Sequence, residues 1–430
     1  MYSHLSTDNY KSRFFKYFLL TTSVCVFFNI CLTESRAAIL AGILGCSILG
    51  FPHIHLQFVK RKIPALLFLA SIIILGMAAL YLWKTDSVIG RLFIWKISIR
   101  LFMDYPLFGI GPNHYTYNFG HNQADYFQSG RSTIGEERIA GLGEFTFNEY
   151  LGIAVNMGIV GLGLVLLIIY FLVRGSLDIL VSRNNKKNTF LIGCIGSLAS
   201  ILLFAFFSYP LSVLPICIHL VLICGILSSN LQDISKSSIK KRLIRWFVCI
   251  TFPVTVALLY HYYNYAQNLV KWQQAIELEA QGKLLRAQEQ MTKLYNRFDN
   301  NPSYLVDYGS ILFNNKKYLR AEKLLSLASQ KTTSPYLYEM LGQCQQINGK
   351  VTVAAESFIF AHYLLPYRFK PKYLLWKLYL QEGQKDKAKS IAKEIVSMPV
   401  KVETYMVTRM RREAERFLKE SSPTHLAPIK

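Results

Sequence analysis

Seven nearly charge-free runs in the segment 1–264 constrain the fold of this chain more than any other feature. Each run is about as long as a helix must be to cross a hydrocarbon layer of ~30 Å. Because lipid offers no partner for open backbone groups, such runs must be helical. One run could be a buried core helix, but seven are better explained as an all-α transmembrane bundle of about seven spans. They are residues 17–33, 37–59, 63–83, 150–173, 189–209, 211–229 and 246–263.

The composition agrees with a membrane protein that carries a soluble appendage. Hydrophobic residues make up 52% of the 430 residues and charged residues only 17%, against about a quarter in soluble domains. An aromatic content of 14% excludes disorder. The net charge of +22 alone could indicate a nucleic-acid binder, but the apolar runs argue against one. We therefore expect a lipid bilayer and no nucleic acid among the partners.

Basic clusters in short loops predict the orientation. With seven spans, four clusters fall on one side, which the positive-inside rule assigns to the cytoplasm; they lie in residues 11–16, 60–62, 174–187 and 236–245. The opposite side receives the turns at 34–36 and 209–211, the long loop at 84–149 and the C-terminal half. The predicted domains are a transmembrane domain at 1–263, a soluble domain at 264–420 and a tail at 421–430.

The soluble domain contains an internal repeat. Alanines recur at a nearly constant spacing, at Ala287, Ala321, Ala355 and Ala388, each about five positions after a turn signal. A proline follows later in each unit. The spacing resembles that of the tetratricopeptide repeat, a helix-turn-helix unit of about 34 residues that stacks into an α-solenoid. Such solenoids bind partners more often than they catalyse reactions, so we place a protein partner here and no active site.

Neither a metal nor a disulfide framework is predicted. Seven of the eight cysteines lie in the apolar runs, where they act as small hydrophobic residues. No Cys-x-x-Cys pair occurs, and no histidine pairs with carboxylates at ligand spacing. We therefore expect no metal and no cofactor.

Short motifs in the membrane half occur in a recognisable order. They are ESRAA at 34–38, GRLFIW at 90–95, DYPLFGIGP at 104–112 and FNEYL at 147–151, followed by Gly158. Over about residues 30–230 this set resembles the O-antigen ligase and O-antigen polymerase superfamily of bacterial inner-membrane proteins. That superfamily also includes members with a fused periplasmic repeat domain.

The resemblance implies a reaction and a location. A glycan on an undecaprenyl diphosphate carrier would be transferred at the periplasmic face to an acceptor, which is lipid A-core, another glycan or a protein. The donor is already activated, so neither nucleotide nor metal is implied. The chain would be a multi-pass inner-membrane protein with a periplasmic C-terminal domain.

Two arginines at predicted membrane edges fit the departing diphosphate. A guanidinium group makes paired, charge-assisted hydrogen bonds to phosphate oxygens. Arg36 and Arg91 are therefore candidate catalytic residues that stabilise developing charge. The alternative is that both are interfacial anchors whose charged heads reach the lipid headgroups.

The proton acceptor is less clear from the sequence. The ligase motif begins with histidine, but Phe147 occupies that position here and cannot transfer a proton. Glu149 is the nearest substitute, although it could equally be a helix N-terminal carboxylate. His114 and His121 are alternative bases. Together with Trp95 and Asn148, these histidines complete the candidate substrate-binding residues.

Superfamily members usually have about ten or more spans, several of them before the segment around Arg36. We therefore expect missing helices to be supplied by an upstream extension or a partner chain. Phe147 and the short N-terminus motivate a second hypothesis, a non-enzymatic membrane-anchored repeat scaffold for envelope polysaccharide assembly. A transporter is less favoured, because its spans should carry buried ionisable residues.

Overall fold

The computed structural model describes residues 17–18, 20–30, 32–33, 35–50, 85–181, 189–230 and 238–421. The described residues form helices joined by turns and irregular segments, without a strand, so the predicted all-α class is confirmed for them. The first half contains α1 (Leu20–Ile30), α2 (Arg36–Gly50), α3 (Thr85–Asp104), α4 (Tyr115–Gln128), α5 (Ile134–Ile139), α6 (Glu149–Val181), α7 (Thr189–Phe207) and α8 (Leu214–Asn230).

Two described segments are long and apolar enough to cross a membrane, Glu149–Leu177 in α6 and Phe190–Phe207 in α7. Helices α1, α2 and α8 are apolar but shorter. The expected run at 63–83 and the end of the run at 37–59 lie outside the described residues. The count of seven spans therefore stays a prediction. Helix α6 is interrupted at Gly158, whose φ of 68° breaks the helical backbone nine positions after its start.

The second half consists of helices that follow one another closely. They are α9 (Ser238–Ala280), α10 (Leu284–Phe298), α11 (Pro302–Asn314), α12 (Tyr318–Ser329), α13 (Pro335–Ile347), α14 (Val351–Leu364), α15 (Phe369–Gln381), α16 (Lys385–Ser397) and α17 (Tyr405–Glu420). Helix α9 runs without a break from the last apolar run into the first repeat.

From the end of α9 onward, the helices form pairs with the predicted period. A residue with positive φ lies in each of the four predicted turns: Gly282, Lys316, Gly349 and Gly383. The alanine three positions into each second helix is fully buried, which identifies Ala287, Ala321, Ala354 and Ala388 as equivalent. In the third unit the sequence pattern points to Ala355, which is 9% exposed, whereas Ala354 is 0% exposed. The predicted position in that unit is therefore wrong by one place.

The chain divides into two compact units. Unit 1 comprises Met1–Arg91 and Phe145–Asp233, and unit 2 comprises Leu92–Glu144 and Ile234–Lys430. Most of the predicted long loop is thus grouped with the repeats rather than with the apolar helices. The expected boundary between residues 263 and 264 stays a prediction, and it falls inside α9.

Candidate functional site

An antiparallel crossing of α2 and α7 determines which ends of unit 1 meet. Ser200 Oγ donates to the carbonyl of Ala41 at 2.7 Å. One turn further along, a Cβ built on Gly196 would lie 2.9 Å from the carbonyl oxygen of Gly45. Because the residue numbers rise on one helix as they fall on the other, this register places the start of α2 level with the end of α7. Arg36, the first residue of α2, therefore lies at the end of α7 that carries Phe207.

Arg91 lies at this same end. Its Nη1 donates to the carbonyl of Phe207 at 2.9 Å. Burial lowers the pKa of Arg91, and the nearby positive charge of Arg36 lowers it further, while Tyr209 acts in the opposite direction. The structure therefore brings Arg36 and Arg91 together, close enough for their charges to interact. Two half-buried like charges disfavour each other, and a bound anion would relieve that cost.

Aromatic rings stand beside Arg91. The Phe147 ring centroid lies 5.5 Å from the guanidinium carbon, within the range of a cation–π interaction. Phe147 also packs edge-on against Tyr209 at 5.4 Å, and Phe145 stacks on Tyr209 at 4.2 Å. Phe147 has a φ of 51°, a strained conformation for a bulky residue. Phe147, which stands where the ligase motif has histidine, therefore lines the Arg91 site with an aromatic ring.

The residues after Phe147 organise the start of α6. The Asn148 side chain is buried, and its Oδ1 accepts from the Leu151 backbone N–H at 3.1 Å, as a helix N-cap does. Glu149 Oε1 accepts from the backbone N–H of Leu211 at 2.7 Å. Glu149 therefore links the first turn of α6 to the short 3₁₀ turn at Pro210–Ser212 that follows α7.

The other candidate residues belong to unit 2. Trp95 lies on α3 and is half-buried, and His114 precedes α4 and is exposed. The His121 ring lies between Tyr117, at 4.4 Å, and Phe360, at 4.8 Å. Burial lowers the pKa of His121, and Asp125 partly opposes this. His121 is thus an aromatic contact between α4 and the repeat helix α14.

Sequence reasoning missed three groups at the arginine site: the Phe207 carbonyl, the Leu211 N–H and the Tyr209 ring. Two of these are backbone groups, which leave no trace in residue identity. The only available signal was the predicted turn at 209–211. Among the described residues, no group of three or more His, Cys, Asp or Glu side chains is placed to hold a metal ion.

Comparison with known proteins finds a family match in the first half of the chain. Residues 21–166 match the family model described as O-antigen ligase, so the predicted resemblance is confirmed over this segment. It contains Arg36, Arg91 and the motif from Phe147 to Gly158. Proteins of this family are embedded in membranes, and the match supports a role in glycan transfer.

Two solved structures are also similar to parts of the chain. A MamA protein shares 18% identity over 38% of this chain and 98% of its own, with a TM-score of 0.29. YrrB, described as a TPR protein with an unusual peptide-binding site, shares 18% identity over 36% of this chain and 86% of its own, with a TM-score of 0.28. No curated protein matches the chain.

Proposed function

We propose that this chain transfers a glycan from an undecaprenyl-diphosphate-linked donor to an acceptor hydroxyl, with Arg36 and Arg91 binding the diphosphate. The observation that carries this proposal is the meeting of the two arginines at one end of unit 1. They are far apart in the sequence, and each belongs to a different helix. The match of residues 21–166 to the O-antigen ligase family supports the same chemistry.

The reaction needs negative charge to be stabilised where the diphosphate leaves. The acceptor oxygen forms a bond to the anomeric carbon, the bond from that carbon to the diphosphate oxygen breaks, and the hydroxyl proton is removed. Arg91 has five N–H donors, and the Phe207 carbonyl engages one of them. The bond to Phe207 fixes the orientation of the guanidinium before the substrate arrives, and this preorganisation makes electrostatic stabilisation effective.

We propose Glu149 as the group that accepts the proton. Phe147 cannot do so, and Glu149 lies two positions along the chain, at the start of α6. Its hydrogen bond from Leu211 holds one carboxylate oxygen in place. Asn148, Trp95, His114 and His121 remain proposed contacts for the glycan or its acceptor. Of these, Asn148 has a supporting role at the start of α6, next to Glu149.

We place this end of unit 1 on the periplasmic side of the inner membrane, with the repeats on the same side. The grouping of Arg36, Arg91 and the turn after α7 supports this placement, because all three belong to segments predicted to be non-cytoplasmic. The acceptor is lipid A-core, another glycan or a protein, and the repeats are a surface on which a protein partner can bind.

A transfer assay in reconstituted membranes, with lipid-linked glycan as donor, tests the proposal. Arg36→Ala and Arg91→Ala should each lower the transfer rate about 10²-fold or more, as expected for loss of one electrostatic donor. Arg36→Lys and Arg91→Lys should recover only part of the rate, because an ammonium group lacks the planar fork. Arg100→Ala is the matched control, since Arg100 is exposed on the same helix as Arg91.

A membrane-anchored scaffold is the second candidate, and the aromatic Phe147 in the motif's histidine position favours it. A scaffold predicts that both arginine variants support polysaccharide assembly at the normal level. It also predicts that removal of the repeats abolishes assembly. That combination would exclude transfer chemistry at the arginine site.

A further inference from the structure

Three aromatic rings lie beside the arginine site within unit 1. Phe145 and Tyr209 are nearly parallel, with 7° between their planes and 4.2 Å between their centroids. Phe147 meets Tyr209 edge-on and lies 5.5 Å from the guanidinium carbon of Arg91. All three aromatic residues are half-buried, so they are not core residues that solvent cannot reach.

The backbone holds Phe147 in a strained conformation. Its φ of 51° lies in the left-handed region, which bulky residues rarely adopt. Thr146 is buried, and its Oγ1 donates to the carbonyl of Asn148 at 2.7 Å, which closes the turn around Phe147. A Cβ on Gly152 would lie 2.9 Å from the same Oγ1, so the first turn of α6 packs closely on Thr146. Strain that the surroundings enforce in this way is typical of ligand-binding sites.

An aromatic belt at the membrane surface is the alternative explanation of these rings. In such a belt, aromatic side chains lie at the level of the lipid headgroups. Here Phe145 and Tyr209 stack on each other, and Phe147 contacts both Tyr209 and Arg91. Tyr209 is also close enough to Arg91 to raise its pKa, against the effect of burial. Aromatic rings combined with a few charged groups are the usual lining of a small-molecule site.

A pyranose is the ligand that these rings fit. The axial C–H groups of a sugar ring are weakly positive and the face of an aromatic ring is negative, so the two attract each other. The stack of Phe145 on Tyr209 uses one face of each ring, and the other face lies outside the stack. In a lipid-linked donor the first sugar is bonded directly to the diphosphate. Its ring must therefore lie next to the groups that bind the phosphates.

We propose that Phe145 and Tyr209 form a platform for the pyranose that is bonded to the donor diphosphate, and that Phe147 connects this platform to Arg91. This inference rests on the proposed function, which supplies the diphosphate. It assigns the first sugar of the donor to the rings, and not the acceptor. Because all pyranoses have C–H groups on the ring, the platform adds affinity for a sugar without selecting one pattern of hydroxyls. The arginines hold the leaving group, and the rings hold the group that is transferred.

Equilibrium binding of two lipid probes to the full-length protein in nanodiscs tests the platform. One probe is undecaprenyl diphosphate, and the other is the same lipid carrying one N-acetylglucosamine. Because both contain the diphosphate, the ratio of their affinities isolates the contribution of the sugar. Tyr209→Leu and Phe145→Leu each remove a ring, whereas Tyr209→Phe keeps it. Phe190→Leu is the control, because Phe190 is an exposed ring at the opposite end of α7.

The original protein should bind the sugar-bearing probe about two- to tenfold more tightly, the range of a favourable aromatic contact. Tyr209→Leu and Phe145→Leu should bring this ratio close to one. Their affinity for undecaprenyl diphosphate should not change, which also shows that both variants fold. Tyr209→Phe and Phe190→Leu should keep the original ratio.

A ratio of one in the original protein, or an unchanged ratio in both leucine variants, would overturn the platform. Equal losses of affinity for the two probes would also overturn it, because the rings would then act on Arg91 and not on the sugar. Failure of the proposed function gives a different result, in which Arg36→Ala and Arg91→Ala leave the affinity for undecaprenyl diphosphate unchanged. A ratio that still depends on Tyr209 would then identify a sugar site without diphosphate binding by the arginines.

Discussion

Glycine allows close helix approach in both units, but it meets a different neighbour in each. In the repeats, a Cβ on Gly309 would lie 2.6 Å from Leu325 and one on Gly342 would lie 2.5 Å from Phe358. Both neighbours are side chains that fill the space above the glycine. Between α2 and α7, a Cβ on Gly196 would instead meet the backbone oxygen of Gly45 at 2.9 Å. The contacts in the repeats bury a large side chain, and the contact between α2 and α7 brings two backbones together.

The membrane location that we propose for unit 1 would account for this difference. In water, the burial of a leucine or phenylalanine side chain is favourable by roughly 1.5–3 kcal/mol, so a repeat gains stability by covering it. In lipid, tails are as apolar as side chains, and helices associate through close packing of small residues and interhelical hydrogen bonds. The α2–α7 pair has both, in Gly45 with Gly196 and in Ser200 with Ala41.

The sharpest test of this comparison is Gly196→Ala, for which we expect the largest effect. The Gly45 backbone cannot yield as a side chain can, so α7 must move away from α2. The Phe207 carbonyl and Arg36 then separate, and transfer should fall by about ten- to 100-fold. Exchange in the repeats should not change. Gly193→Ala is the control on the same helix, since its Cβ would be 3.8 Å from Leu49 Cδ2. Full activity in Gly196→Ala would show that the backbone contact does not hold the site.

Within the repeats, Gly342→Ala should destabilise more than Gly309→Ala. A Cβ on Gly342 would meet the rigid ring of Phe358, whereas a Cβ on Gly309 would meet Cδ2 and Cγ of Leu325, a side chain that can change rotamer. Overpacking of this kind costs about 1–3 kcal/mol, and the better helix propensity of alanine offsets up to ~1 kcal/mol. We therefore expect a larger net loss of stability at Gly342 than at Gly309, measured by amide exchange across residues 302–364. Equal losses of stability in the two variants would mean that the neighbouring side chain does not determine the cost of adding a Cβ.

The repeats could be predicted from the sequence because their determinants are local. Glycine marks three of the turns, at Gly282, Gly349 and Gly383. In the structure each of these glycines has a positive φ. Even the turn at Lys316, which has no glycine, is located by its place in the period. The one-residue error at Ala355 arises because two adjacent alanines fit the pattern equally well. Only burial against the paired helix distinguishes Ala354.

The candidate site could be predicted only in part. Arg36 and Arg91 were selected by charge and position, and the structure brings them together. No sequence signal marks the Phe207 carbonyl that orients Arg91, because every residue has such a group. Nor does any signal reveal the close approach of α4 to the repeats at Gly120 and Thr333, which are ordinary residues that lie far apart in the chain. Contacts between distant segments depend on tertiary packing, which has no local period.

Acidification below pH 6.5 should destabilise the repeats through His362. Burial and the charge of Lys372 lower the pKa of His362 to about 3. The unfolded chain then binds a proton near pH 6.5 while the folded chain does not, so stability falls as pH decreases below 6.5, by at most ~1.4 kcal/mol per pH unit. Burial raises the pKa of Asp307 to about 6, which opposes this trend between its ordinary pKa and 6.

The His362 contribution is therefore measured as a difference. In His362→Leu, Lys372 and Asp307 are unchanged. The free energy of unfolding of the repeats should then depend less on pH between pH 7 and 5 than it does in the original protein. A variant with the same pH dependence as the original protein would show that other groups control acid stability.

The smallest expected effect compares helix caps in the two units. Ser334 Oγ accepts from the Leu337 N–H at 3.1 Å, and Asn148 Oδ1 accepts from the Leu151 N–H at the same distance. Loss of either cap by substitution with alanine should cost about 1 kcal/mol locally. Ser334→Ala should change transfer less than Asn148→Ala, because Ser334 caps a repeat helix, whereas Asn148 caps α6, which carries Glu149. Asn148→Ala should lower transfer a few-fold, because the next residue is Glu149, whose hydrogen bond to the turn after α7 depends on a well-formed first turn of α6. Equal transfer rates in the two variants would show that Glu149 is held by its bond to Leu211 alone.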